Sequence, residues 1–264
     1  MKIHAASAVA PVTTHKRALS YLAEGLEDDV LGPISMEHVQ LCPQHAGYID
    51  EALLEQLMEL YPATKFRLHA SPKLSGHGRA IVHVSNSDHH QSYIKEAFGY
   101  GEKLGGHGHT IHAGERSDCD MEGMLDRLDS LQQRTGMAIG VEGLYPSSRD
   151  RWLMSTWAEH ERVAERGFRY ALDLSHLNIV TRVHGRQDEL VRDLISSPLC
   201  MEVHVSGNDG RADSHKPLSS SSLPWWMDIL KDADSQTVVF YEGILVDPRK
   251  KETRIGDGIA GLLG

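Results

Sequence analysis

The sequence predicts a (β/α)8 barrel, an α/β fold formed as a single domain by residues 1–264. Two observations support this prediction. Short apolar runs alternate with longer amphipathic segments along the whole chain, and eight such runs can be counted. The length of 264 residues also suits one barrel of this kind. Because strands that alternate with helices form a parallel sheet covered by helices, eight repeats are expected to close into a TIM barrel.

The first four strands are short runs rich in apolar residues, each followed by a segment with helical periodicity. We expect these strands at residues 2–9, 36–41, 65–69 and 109–113. Helices are expected at residues 16–24, at residues 49–61, and from Ser87 and Asp88 to about residue 104. The second helix ends before Pro62. Its apolar stripe is formed by Leu53, Leu54, Leu57 and Leu60.

The second half of the chain repeats this alternation. Ser117 and Asp118 are expected to cap a helix that extends to about residue 134. The remaining strands are expected at residues 137–142, 168–173, 201–205 and 237–242. Further helices are expected at residues 149–166, 187–196 and 223–231, and near Ile259 at the end of the chain.

Composition excludes several classes of function. The formal net charge of -10 argues against broad electrostatic capture of nucleic acid. No apolar segment is long enough to cross a bilayer, and the first residues lack a signal-peptide pattern, so we expect a cytoplasmic protein. Three scattered cysteines are too few for a disulfide framework. No glycine-rich phosphate-binding motif follows a strand, which argues against a nucleotide cofactor.

Residues 201–215 carry the strongest indication of a metal site. A short apolar strand reaches His204, and a glycine-containing loop then brings Asp213 and His215, two residues apart. Side chains two residues apart in extended backbone lie on the same side, so a carboxylate and an imidazole can face one ion together. The 17 histidines of the chain make such a site worth testing.

The same residue types recur at the carboxyl ends of the other strands, where (β/α)8 barrels hold their chemistry. The candidate ligands are His69, His112, Glu142, Asp173, His176, His204, Asp213, His215 and Glu242. Buried charged groups are costly unless they are paired or bind metal. Nine ligands exceed the need of one ion, which predicts two or three divalent ions with Glu142 and Glu242 able to bridge. Imidazole and carboxylate suit iron, zinc, manganese or cobalt, and no cysteine accompanies them.

Other polar residues are weaker candidates. Lys73, Arg211 and Lys216 lie on loops beside the predicted centre and are candidates for holding an anionic substrate. Two histidine-rich stretches lie away from the carboxyl ends of the strands, so we assign them to the surface or to supporting positions. These stretches are His107-Gly-His109 and Asp88-His89-His90.

The chain resembles the xylose-isomerase-like superfamily of TIM barrels, which includes endonuclease IV and sugar isomerases and epimerases. The similarity rests on Ala171-Leu-Asp-Leu-Ser-His176, the His204 strand, the Asp213-Ser-His215 loop and Glu242. All nine candidate ligands resemble, in order, the set with which endonuclease IV holds three metals. Sugar epimerases of the superfamily use four of these positions, which correspond to Glu142, Asp173, His204 and Glu242.

The chain also resembles the multinuclear non-heme iron-dependent oxidative enzymes that modify cysteine-containing peptides. The similar motifs are Glu37, Tyr61-Pro62 with His69, Glu202-Val-His-Val-Ser-Gly207, Asp213-Ser-His215 and Trp225-Trp226. Both resemblances have departures. The iron enzymes usually carry Asn at the position of His176 and match His112 only loosely. Endonuclease IV normally shows Asp-Thr-Cys-His, where this chain has Asp173-Leu-Ser-His176 and no arginine-rich loop.

Three enzymatic functions follow, of which we favour the first. Iron would support oxidation of a peptide or a small molecule. A single ion would support sugar isomerisation or epimerisation, with Glu142 and Glu242 exchanging a substrate proton. Zinc or manganese would support phosphodiester hydrolysis of the AP endonuclease type. A metal-storage or binding role is the fourth alternative. The sequence leaves a partner protein open and argues against nucleic acid and a membrane.

Overall fold

Eight parallel strands close into a barrel in the computed structural model, which describes residues 1–247 and 252–253. The strands are β1 (Ile3–Ala6), β2 (Ser35–Leu41), β3 (Lys65–His69), β4 (His109–His112), β5 (Ile139–Glu142), β6 (Tyr170–Asp173), β7 (Cys200–Val205) and β8 (Val238–Tyr241). Neighbours in the sequence are neighbours in the barrel, and β8 closes it against β1 with Ile3 opposite Val239. The predicted fold class is confirmed.

Seven α-helices cover the barrel in the part of the chain that the structure describes. They are α1 (His15–Ala23), α2 (Glu51–Leu60), α3 (Gln91–Lys103), α4 (Met121–Gln133), α5 (Trp157–Glu165), α6 (Leu174–His184) and α7 (Asp188–Ser196). Two short 3-10 helices, Trp225–Met227 and Ile229–Asp232, replace the α-helix predicted at residues 223–231. On α2, Leu54 and Leu57 are fully buried, whereas Leu60 is 58% exposed.

Two predicted helix starts, at Ser117 and Asp118 and at Ser87 and Asp88, are wrong. Ser117 and Asp118 do not cap α4, since Asp118 accepts a hydrogen bond from Ser85 Oγ at 2.8 Å. Asp120 instead caps α4 by accepting from the backbone of Gly123. Asp88 lies within a 3-10 helix, Val84–His90, so α3 begins only after that helix ends.

The chain between β5 and β6 differs most from the prediction. The helix expected at residues 149–166 begins only at Trp157, because Thr156 and Glu159 form a capping box there. The preceding residues form a loop in which Trp152 pairs with Glu115 in an isolated antiparallel bridge. This loop brings Trp152 to the mouth of the barrel, as described below.

The helix α6 was not predicted from the sequence. It follows β6 without a connecting loop, because Asp173 ends the strand and also caps the helix. Its carboxylate accepts from the backbone nitrogens of Ser175 at 2.7 Å and His176 at 3.1 Å. The helix expected near Ile259 lies outside the described residues. None of the described helices is both long enough and apolar enough to cross a membrane.

A closed loop follows β7. The backbones of Gly207 and Lys216 exchange two hydrogen bonds, of 2.7 and 2.8 Å, and thereby join the two ends of the loop. A side chain at Gly207 would lie 2.9 Å from the carbonyl oxygen of Pro217, so only glycine fits without a shift. Within the loop, His215 has a φ of 43°, a conformation that non-glycine residues adopt rarely.

Candidate metal centre

A cavity of ≈ 230 Å³ lies at the carboxyl-terminal mouth of the barrel. Gln44 and His83 line it, together with His69, His112, Glu142, Asp173, His176, Asp213, His215 and Glu242. The latter are eight of the nine candidate ligands, and the ninth, His204, is fully buried and contacts Glu142 and Glu242. The structure therefore brings all nine residues together. The strand ends contribute six of them, α6 contributes His176, and the loop after β7 contributes Asp213 and His215.

Glu142 is at the centre of this cluster. Its Oε2 atom lies 3.4 Å from His204 Nδ1, 3.6 Å from His69 Nδ1 and 3.8 Å from His112 Nε2. Its Oε1 atom lies 3.6 Å from His176 Nδ1. These distances are too long for good hydrogen bonds. The three contacts of Oε2 match ligands of a shared ion, because tetrahedral ligands at the usual metal distances lie about 3.4 Å apart. His176 Nδ1 instead donates to the carbonyl of Gly143 at 3.0 Å.

Glu242 forms a second centre of contacts. Its Oε1 atom lies 3.7 Å from His69 Nε2 and 3.8 Å from His204 Nδ1, and its Oε2 atom lies 3.6 Å from His215 Nδ1. The carboxylate of Asp213 lies 2.9 Å from the other ring nitrogen of His215. His69 thus lies between the two carboxylates with one ring nitrogen toward each, whereas His204 faces both with Nδ1.

The ring of His176 lies close to the carboxylates of both Asp173 and Asp213. Its Nε2 atom lies 3.4 Å from both Asp173 and Asp213. Three sets of side chains have ligand atoms close enough to hold an ion. These sets are His69 with Glu142 and His204, Glu142 with Asp173 and His176, and Asp173 with His204 and Glu242.

Five buried polar atoms of the cluster have no hydrogen-bond partner. They are His69 Nδ1, Glu142 Oε2, His204 Nδ1, His215 Nδ1 and Glu242 Oε1. An unpaired buried polar atom costs about 1–3 kcal/mol, and these five lie together on neighbouring side chains. Nitrogen and carboxylate oxygen are also the donor atoms that divalent transition metals bind. The cluster therefore fits metal ions better than it fits a purely structural role.

Burial and mutual charge shift the pKa values of the cluster in opposite directions. Burial lowers the pKa of His69 to about 3. Burial also lowers that of His204, but the carboxylates of Glu142 and Glu242 outweigh it, and the pKa lies well above its ordinary value. Burial raises the pKa of Glu242 to about 7, although His204 and His215 oppose this shift. Since metal ligands must be deprotonated, an ion that binds here displaces protons.

A buried hydrogen-bond network lies against His204. Glu202, two residues earlier on β7, is fully buried and accepts from Gln40 Nε2 at 2.6 Å, Thr110 Oγ1 at 2.5 Å and Arg67 Nη1 at 2.8 Å. Its carboxylate also lies 3.2 Å from His204 Nε2. Burial raises the pKa of Glu202, but His204 and Arg67 lower it more, to about 2. Gln40, Arg67 and Thr110 were not found from the sequence, and Glu202 was noted only within a motif.

The candidate substrate residues lie outside the central cavity. Lys73 Nζ donates to the carbonyl of His45 at 2.7 Å, and Arg211 is exposed. Lys216 lines a neighbouring cavity of ≈ 420 Å³ together with Trp225 and Trp226. A role for these three basic residues in substrate binding stays a prediction.

The other motif residues of the sequence fall into supporting positions. His109 is buried, with Nε2 3.1 Å from the carbonyl of Ala70, and His89 is exposed. Glu37 forms an exposed ion pair of 2.7 Å with Lys2 and does not line the cavity, which weakens that part of the resemblance to the iron enzymes.

The apolar wall of the central cavity was not predicted. It is formed by Pro43, Ala70, Leu144, Tyr145 and Trp152. Tyr145 packs against His176 with 5.0 Å between the ring centroids. Burial, together with the charges of Asp213 and Asp173, raises the pKa of Tyr145. Its hydroxyl group therefore keeps its proton at neutral pH.

No protein-family model and no curated protein matches this sequence. Solved structures of similar fold include a D-tagatose 3-epimerase-like protein, at 15% identity and a TM-score of 0.68 over 92% of both chains. An AP endonuclease of family 2 from Brucella melitensis has 15% identity and a TM-score of 0.59 over 92% of this chain and 93% of its own. Endonuclease IV from Thermus thermophilus has 16% identity and a TM-score of 0.53, with 81% of this chain and 84% of its own covered. The fold is therefore that of the xylose-isomerase-like TIM barrels.

Proposed function

We propose that this protein is a metal-dependent enzyme with two or three ions at the mouth of the barrel, and that it oxidises a peptide side chain or a small molecule with iron. The observation that carries the proposal is the set of five buried ligand atoms without hydrogen-bond partners. Bound iron would supply Lewis acidity and the capacity to exchange electrons with a substrate.

The number of ligands supports more than one ion. Glu142, Asp173 and His204 each belong to two of the three sets of potential ligands, so neighbouring ions would have bridging or adjacent ligands. An ion bound by imidazole and carboxylate takes about four to six ligands. Nine protein ligands within one small cavity are more than one ion would use, and two or three ions would leave positions open for a substrate.

The size of the cavity and its apolar wall support a small reacting group. The volume of ≈ 230 Å³ is below the usual range of about 300–1,000 Å³ for ligand pockets. Leu144 and Trp152 exclude water from one side of the cavity, and the protonated hydroxyl of Tyr145 can donate a hydrogen bond to a substrate. A side chain or a small molecule fits this space.

Sugar epimerisation is the second candidate, favoured by one observation. The carboxylates of Glu142 and Glu242 both face Nδ1 of His204, at 3.4 and 3.8 Å. Two carboxylates close to one ligand suit proton exchange on a substrate held by a single ion. His69 and His215 argue against this candidate, because both face the same carboxylates and add ligands that a single ion does not need.

The proposal is tested by purifying the protein without oxygen after expression with iron, zinc and manganese supplied. Elemental analysis should give at least two ions per chain, mostly iron, and Mössbauer spectra should change when oxygen is admitted. His89→Ala, a change at an exposed histidine, is the matched control and should keep the full metal content. One ion or fewer per chain would favour the epimerase, and a full complement of zinc would favour hydrolysis.

A further inference from the structure

Glu202 and His204 lie two residues apart on β7, and both side chains are fully buried. Because side chains alternate along a strand, the two residues share one face. The carboxylate of Glu202 lies 3.2 Å from His204 Nε2, and the other ring nitrogen of His204 faces Glu142 and Glu242. His204 therefore has one nitrogen toward the candidate metal centre and one toward Glu202.

Glu202 is held from three other strands. Gln40 on β2, Arg67 on β3 and Thr110 on β4 all donate to its carboxylate, at 2.6, 2.8 and 2.5 Å. Arg67 supplies the opposite charge that a buried carboxylate needs. The orientation of this carboxylate is thus set by the barrel itself and does not depend on a flexible loop.

Gln40 lies against both His204 and Glu202. Gln40 Nε2 lies 2.9 Å from His204 Nε2 and donates to the same carboxylate oxygen of Glu202. Ionised Glu202 can only accept hydrogen bonds. One carboxylate oxygen of Glu202 is therefore a shared acceptor for Gln40 Nε2 and His204 Nε2. His204 can carry its proton on Nε2, toward Glu202.

We propose that Glu202 is a positioning residue that makes His204 bind metal through Nδ1. A neutral imidazole has one donor and one acceptor nitrogen, so a proton held on Nε2 leaves the lone pair on Nδ1. That atom is buried, has no hydrogen-bond partner and lies 3.4 Å from Glu142 Oε2. A carboxylate that orients a metal-binding histidine in this way raises its affinity for the ion. The inference rests on the proposed metal centre and adds to it a residue that does not touch the ions.

Zinc alone is a suitable probe, since it is diamagnetic and its affinity can be measured by competition with a chromophoric chelator. Glu202→Gln keeps the shape of the side chain but removes the charged acceptor, and it should weaken zinc binding by about 10–100-fold. Thr110→Val is the matched control, because it removes another hydrogen bond to the same carboxylate and leaves the contact with His204 in place. It should change the affinity by less than about threefold, whereas equal losses in both variants would show a merely structural role and overturn the proposal.

The ring nitrogen that binds zinc can be read directly in the wild-type protein. Nitrogen-15 NMR of the zinc-loaded protein should show His204 bound through Nδ1, with its signals assigned by their loss in His204→Ala. Coordination through Nε2 would overturn the inference even if Glu202→Gln fails to fold. Wild-type protein that binds no zinc would overturn the metal centre as well. Zinc binding with equal affinity in wild type and Glu202→Gln would overturn the role of Glu202 alone.

Discussion

His215 Nε2 lies 2.9 Å from Asp213 Oδ2, so the two residues of the Asp-x-His motif hold each other at the rim of the cavity. Burial lowers the pKa of His215, but Asp213 and Glu242 raise it more, to about 9. The loop that carries both residues is joined at its ends by Gly207 and Lys216. The geometry of this side of the cavity is therefore determined by one short segment.

Loss of single ligands should remove metal and activity while leaving the barrel folded. We expect this result for His204→Ala, Asp213→Ala and His215→Ala, because the ligands lie at the mouth and the packed strands and helices hold most of the stability. Far-ultraviolet circular dichroism and metal analysis of each variant measure the two effects separately. Variants that keep full metal content and turnover would show that these residues are ordinary polar groups.

Removal of metal should lower the unfolding temperature. An ion that binds only the folded chain adds about 2.7 kcal/mol at a free concentration 100 times its Kd. Thermal scans with zinc and with excess chelator should therefore differ by several degrees. The difference should shrink in Asp213→Ala, whereas His89→Ala should behave like wild type. Identical scans for wild type under both conditions would contradict a metal centre.

Glycine at position 207 should be required for the loop. In Gly207→Ala the new methyl group would lie 2.9 Å from Pro217 O and 3.1 Å from Lys216 O, which would force the loop ends apart. We expect metal affinity to fall by about tenfold or more, because Asp213 and His215 would move. Gly136→Ala is the control, since its methyl group meets nothing within 4 Å. Equal metal affinity in both variants would show that the loop adapts.

The buried pair His15 and His45 should make the protein sensitive to acid. Their rings are 4.5 Å apart, and burial lowers the pKa of His15 to about 3 and that of His45 to about 4. In the unfolded chain both histidines have the ordinary histidine pKa of about 6.5 and take up protons near that pH. The contribution of this pair to the free energy of unfolding is therefore fully present above pH 6.5 and is lost as the pH falls from 6.5 toward 4.

The free energy of unfolding is expected to be lower at pH 5 than at pH 7 by about 2 kcal/mol for each of these two histidines. Urea denaturation of wild type and His15→Leu at pH 7 and pH 5 measures it by difference, which removes the contribution of other buried histidines. The variant should lose less stability than wild type between the two pH values. An identical loss in both proteins would show that His15 is protonated in the folded state.

DNA that contains an abasic site should bind weakly and remain uncut. A nuclease must grip phosphates, yet no lysine or arginine lines the central cavity in the described residues. The basic residues that the sequence places on loops near the mouth are chiefly Lys73, Arg79, Arg211 and Lys216. Gel-shift and incision assays at low salt with zinc, manganese or iron supplied test this expectation. Efficient incision that is abolished by Glu142→Gln would identify a nuclease instead.

The fold, and the meeting of the nine candidate residues at one mouth, could be predicted because both depend on local pattern. Strand ends in such a barrel meet at one mouth, so His69 and Glu142 could be placed together without knowing any contact between them. The support of Glu202 by Gln40 and Thr110 depends on the register of three strands, which apolar periodicity does not reveal. The helix α6 was missed because Asp173 serves as ligand candidate, strand end and helix cap at once.

The sequence pattern also gave a wrong prediction for the loop before α5, whose residues contact other parts of the chain. Residues before Trp157 have helical composition, but Trp152 pairs with Glu115 across the mouth, and the backbone nitrogen of Arg116 donates to the carbonyl of Arg151 in the same loop. These contacts outweigh the weak preference of the segment for a helix. The apolar wall of the cavity was missed for the same reason, since Trp152 reaches it only through this loop.

The position of Trp152 gives the protein an optical reporter of its own. Of the four tryptophans, this one lines the central cavity, with its ring 6.0 Å from that of His83. Trp157 is buried in α5, and Trp225 and Trp226 line the neighbouring cavity. Energy transfer to a coloured ion falls steeply with distance, so iron or cobalt in the proposed centre would quench the emission of Trp152 most strongly. The filling and emptying of the centre can thus be followed by fluorescence in the unlabelled chain.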